Sequence, residues 1–164
     1  MLSRREESRP LQRCVTTVNR SALRPPSDVR RQPMEYFVGL LLSLAVAVSA
    51  TVIGMDRDRA FYPTVLIVIA SYYVLFAVMG GSGSALGIEI AVASGFAIIA
   101  ALGFKKNLWL VAAAIAGHGV FDFVHHWLIE NPGVPRWWPG FCLAFDVILG
   151  GWLAVRLMRR HARA

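Results

Sequence analysis

The chain has 164 residues, 56% of them hydrophobic and 16% charged, with a mean hydropathy of +0.53. That balance, with the charges lying outside long apolar runs, excludes an ordinary soluble domain and defines a polytopic membrane protein small enough for one helical bundle. The formal net charge of +7 points at first to an anionic partner. Its distribution removes that inference.

Residues 1–33 carry Arg4, Arg5, Arg9, Arg13, Arg20, Arg24, Arg30 and Arg31 against Glu6, Glu7 and Asp28, which is +5 of the total. The segment has few large apolar residues and is expected to be a disordered Arg-rich extension. Met34 stands directly before the first apolar run, so translation is expected to start there. The remainder carries only +2, and no nucleic-acid partner is expected. A basic arm on anionic lipid or nucleic acid is the alternative role for the extension.

Crossing roughly 30 Å of hydrocarbon takes about 20 apolar residues. Five runs qualify: Tyr36–Gly54, Thr64–Gly80, Leu86–Gly103, Leu108–Ile129 and Phe141–Leu157. Helices are required, because lipid offers no partners for unpaired backbone amides and the runs lack the alternation of barrel strands. The expected fold is therefore an all-α bundle of about five transmembrane helices in the bacterial inner membrane. "AVAVSA" ending at Ala50 has the small residues of a signal-peptidase site, but a start at Met34 leaves no basic segment ahead of it.

With a start at Met34, one side of the bundle bears only Arg136. The other bears Arg57, Arg59, Lys105, Lys106, Arg156, Arg159, Arg160 and Arg163. The positive-inside bias predicts N-out and C-in. Trp127, Trp137 and Trp138 fall at expected outer ends, and Tyr62 and Trp109 at inner ends, where amphipathic rings favour the headgroup layer.

"GGSGSALG", Gly80 to Gly87, lacks the lysine of a phosphate-binding loop and no strand precedes it, so it reads as a turn. Gly83 with Gly87, and Gly150 with Gly151, are expected where helices approach closely. Cys14 and Cys142 suggest neither a disulfide nor a metal ligand.

The fourth run is the unusual one. "AGHGVFDFVHHWLIEN" places His118, Asp122, His125 and His126 within apolar sequence. At about 100° per residue they share one stripe roughly 100° wide, with His126 at its edge. Intramembrane ionisable groups are costly and turn inward to pair. Glu89 in the third run and Asp146 in the fifth lie at similar depth, in the same half of the bilayer, because consecutive spans alternate in direction. Tyr72 and Tyr73 can reach that interior.

Three chemistries fit these residues. His118, His125, His126 and Asp146 can ligate a divalent metal, zinc or iron, with Asp122 and Glu89 as catalytic carboxylates of a hydrolase-like site. Graded imidazoles and carboxylates can instead carry protons with a small solute. Or the groups only pair helices. Asp122-x-x-His125 has the carboxylate-x-x-His spacing of di-iron bundles, which need a second copy; one metal is expected unless a homo-oligomer completes the set.

"HGVFDFVHHW", followed by "VPRWWPGFCLAFD", resembles small multi-pass bacterial membrane proteins of a domain family with no assigned function. The resemblance runs from about Met34 onward and implies a short polytopic bundle. Asp122-x-x-His125-His126 is also similar to the HxxHH box of membrane desaturases and hydroxylases, with aspartate in the first place. The other histidine boxes of those enzymes are absent, so their oxygen chemistry is not implied.

Overall fold

A computed structural model describes residues 32–162. The expected disorder of residues 1–33 falls outside these apart from Gln32 and Pro33, which open the first helix. Five helices follow: α1 (Gln32–Ile53), α2 (Phe61–Met79), α3 (Gly83–Lys105), α4 (Leu108–Leu128) and α5 (Trp138–His161). All five are long and apolar enough to cross a membrane, and there is no strand among the described residues. The protein is an all-α, multi-pass membrane protein. Large apolar side chains such as Val52, Ile98 and Val120 face outward, as they do where the surrounding phase is hydrocarbon rather than water.

Local chemistry sets the helix ends. Asn107 accepts the Trp109 amide at 2.9 Å and starts α4, while Ser82 accepts the Ala85 amide at 3.3 Å and starts α3; both satisfy donors that a first helical turn leaves open. Gly81 takes φ +66, a left-handed conformation that costs glycine little. The turn expected over Gly80 to Gly87 is therefore confined to Gly80–Ser82, and α3 takes the rest.

Helix α5 is the central element, packed along α4 on one side and α1 on the other. Helix α2 packs on α3, and α3 on α4, but α2 forms no comparable seam with α1 or α5. The α4–α5 seam is close because it is lined by small residues. A Cβ on Gly119 would lie 2.8 Å from Asp146 Cβ, and one on Gly150 would lie 2.8 Å from the Ala112 carbonyl oxygen. Gly150 is thus a close approach as expected. Gly83, Gly87 and Gly151 are not, since a Cβ there meets nothing within 4 Å.

The arginine-rich end is tied by one polar knot. Asp56, 5% exposed, forms an ion pair with Arg156 of α5, and Thr51 Oγ1 lies 2.7 Å from Asp56 Oδ2 and 2.9 Å from Arg156 Nη1. The knot joins the end of α1 to α5. Removing the carboxylate strands a partly buried guanidinium, so Asp56→Ala should destabilise by about 1–3 kcal/mol. The check is a thermal melt in detergent, with a fall of several degrees expected.

Candidate intramembrane polar site

Ionisable residues gather in the half of the bundle that ends at Trp137 and Trp138. Among the described residues, seven polar or charged ones are buried: Ser43, Asp56, Glu89, His118, Asp122, His125 and Asp146. Five of them belong to this site. Helix α4 turns His118, Asp122 and His125 to the interior by its own period, each 2% exposed or less, and the glycine seam brings Asp146 of α5 against them.

The five form two adjacent groups. In the first, His118 Nδ1 lies 2.8 Å from Asp146 Oδ2 and 3.5 Å from Asp122 Oδ2. One ligand atom from each of His118, Asp122 and Asp146 lies within 4.8 Å of the others. In the second group, His125 Nε2 lies 2.8 Å from Glu89 Oε1, and Asn131 Nδ2 donates to the same oxygen at 2.9 Å.

Tyr73 of α2 stands between them. Its ring centroid is 4.2 Å from that of His125 and 6.5 Å from that of His118. Its hydroxyl and the Cys142 thiol border the Asp122 carboxylate without closing a hydrogen bond to it. Phe96 closes the His118 side with its ring 4.8 Å from the imidazole.

The polar atoms are unevenly satisfied. Both Asp122 oxygens, Asp146 Oδ1, Glu89 Oε2 and the Tyr73 hydroxyl are buried without a hydrogen-bond partner. Buried polar groups are normally paired because an unpaired one keeps its whole desolvation cost. Neither Asp122 nor Asp146 has any exposed surface, so water in bulk does not supply the missing partners.

The expected site residues fall as follows. His118, Asp122 and Asp146 come together, and His125 and Glu89 form the neighbouring pair. His126 is exposed, with its ring 4.4 Å from that of Trp127, and touches neither group. Tyr72, 37% exposed, lies against Trp138 at 5.3 Å; Tyr73 is the inward one. Asn131, in the Asn-Pro-Gly segment after α4, is a member of the site that sequence reasoning does not identify. It enters because the loop after α4 folds tightly over the end of α2, where a Cβ on Gly133 would overlap the Phe76 carbonyl oxygen, and its side chain also donates to the Tyr73 carbonyl at 3.2 Å. An amide in an Asn-Pro-Gly turn gives no sequence signal for such a contact.

Two cavities flank the site. One of about 480 Å³ at the tryptophan-rich end is lined by His125, His126, Glu130, Asn131 and Arg136 among others. The second, of about 660 Å³, runs between α2 and α5 along α1 and has Cys142 and Asp146 in its lining. The fold and site together define a five-helix membrane protein with a buried His/Asp/Asp cluster. Comparison with protein-family models, curated proteins and solved structures gives no match.

Proposed function

We propose that the protein is a metal-dependent hydrolase of the membrane interior, with one divalent cation, zinc or iron, held by His118, Asp122 and Asp146. The observation that carries this reading is the set of three buried ligand atoms within 4.8 Å of one another, with both Asp122 oxygens and Asp146 Oδ1 closing no hydrogen bond. Ligands about 2.0–2.1 Å from zinc in a tetrahedron stand roughly 3.3 Å apart. The 2.8 and 3.5 Å separations of His118 Nδ1 from the two carboxylates bracket that spacing. Charge agrees as well: two ionised carboxylates and a neutral imidazole match a divalent cation.

Three protein ligands leave a position for water or substrate, the pattern of catalytic rather than structural zinc. A cation held by these residues would lower the pKa of a water and polarise a carbonyl. Glu89, with Oε2 unpartnered, serves as the general base, and His125 and Asn131 hold its other oxygen. The cavity lined by His125 and His126 provides the aqueous side. The orientation that accompanies this reading is N-out and C-in in the bacterial inner membrane, from the positive-inside bias.

Elemental analysis of protein purified in detergent without chelator tests the proposal. About one equivalent of zinc or iron per chain is expected at neutral pH, lost on acidification because protons compete for the imidazole and carboxylates. Less than about a tenth of an equivalent, with a melting temperature unmoved by added zinc, contradicts ligand-linked stabilisation. Pure helix pairing is then the better account. Proton-coupled uptake in proteoliposomes without bound metal favours the transporter alternative.

A further inference from the structure

We infer that the substrate of this site is an acyl-chain lipid that enters sideways from the bilayer, its chain lying in the groove between α2 and α5. The inference rests on the metal-site reading above and adds the substrate class to it.

The groove exists because α2 makes no seam with α5 or α1. Its walls are apolar: Val46 of α1 on one side, Val65 and Ile69 of α2 on the other, Phe141 and Phe145 of α5 beneath. It extends along α2 from Phe61 to Tyr72, about 17 Å at 1.5 Å per residue. At about 660 Å³ it falls within the roughly 300–1,000 Å³ of small-molecule sites, which combine apolar walls with a few polar groups.

Its surroundings decide the occupant. The groove is continuous with the outward face of spanning helices, beside exposed Leu42 and Val68, so hydrocarbon chains are the phase that meets its mouth. Asp58 and Thr64 join its lining near Phe61, and Cys142 and Asp146 of α5 join it further along; Asp146 is a ligand of the proposed cation. An acyl chain in the groove therefore directs its carboxyl-derived end toward the metal. Asp146 is covered at rest, and contact with a chain in the groove requires displacement of the side chains that cover it.

The reaction balances with water alone. The water oxygen adds to the acyl carbon, the bond from that carbon to the ester oxygen or amide nitrogen breaks, and the leaving atom takes a proton. The products are a fatty acid and an alcohol or amine.

The experiment uses the full chain loaded with cobalt(II), whose visible absorption reports a change of ligands. Acetohydroxamate and dodecanohydroxamate carry the same metal-binding head on a short and a long chain. The long-chain probe should bind more tightly, since each methylene buried from water contributes about fourfold. Detergent partitioning also favours it, so the decisive comparison is with a blocked groove. Val46→Trp, and independently Val65→Trp on the opposite wall, should weaken dodecanohydroxamate by at least about tenfold while acetohydroxamate affinity and cobalt stoichiometry stay unchanged. Bound cobalt with no loss of long-chain affinity in either variant overturns the lipid inference and leaves the metal site standing. Failure to bind cobalt or zinc at all overturns the metal-site reading, and the lipid inference with it.

Discussion

Asp146→Asn is expected to lose the bound cation without destabilising the cation-free protein. Asp146 and Asp122 have no exposed surface and present ligand oxygens within 4.8 Å of each other. Two ionised carboxylates 4.8 Å or less apart repel by about 3 kcal/mol or more at an effective dielectric of 20. A divalent cation reverses that sign, and chelation restores it. The amide removes one charge and weakens the ligand set, so affinity should fall by more than about 100-fold, beyond the range seen when only a supporting contact is lost. Because the repulsion is also gone, the variant in chelator should melt at or above the parent in chelator. The pairing account gives the opposite result, since its benefit is the 2.8 Å contact between Asp146 and His118, and breaking a buried pair is costly. Metal content together with melting in chelator separates the two. A variant that keeps stoichiometric metal sinks the site.

Gly119→Leu should empty the same site without substituting any ligand residue. The Cβ it adds falls 2.8 Å from Asp146 Cβ, 3.1 Å from the Cys142 carbonyl oxygen and 3.3 Å from Leu143 Cα. Backbone on one side and a ligand residue on the other leave only one relaxation, which moves α5 away from α4. Metal sites need ligand positions held within a few tenths of an ångström, so a shift of this size should lower affinity by about 100-fold or more. Gly117, two residues earlier on the same helix, is the control. A Cβ there meets nothing within 4 Å, and Gly117→Leu should keep the metal, with a small gain from helix propensity. Zinc titration of both variants against the parent is the measurement. Equal affinity in Gly119→Leu and the parent means that the seam does not position the site.

The two variants probe different causes. Asp146→Asn changes the chemistry of a ligand, whereas Gly119→Leu changes only the distance between helices that carry ligands. Loss in the first with retention in the second assigns the site to donor chemistry tolerant of helix spacing. Loss in both assigns it to donors held by the small-residue seam.

The five helices were legible in the sequence because hydrocarbon imposes a single rule on every span: enough apolar residues to cross, with all backbone groups bonded internally. The inward stripe on α4 was legible for a similar reason. His118, Asp122 and His125 are related by the helical period alone, and the alternation of spans brings Glu89 and Asp146 to the same half of the bundle. Which carboxylate meets which imidazole was not. Asp146 pairs with His118 across 28 residues and Glu89 with His125 across 36, and those choices depend on how far each helix is rotated against its neighbour. Gly119 and Gly150 set that rotation and distance on α4 and α5, by contacts with residues that no local pattern identifies. His126, at the stripe's edge, turns outward once α5 covers the centre of the stripe. Asn131 turns inward because its loop is pinned on Phe76 and Gly80. The lipid-facing groove, too, is a property of the packing alone, because it is the space left where α2 and α5, in contact at Tyr72, Phe76 and Trp138, form no continuous seam.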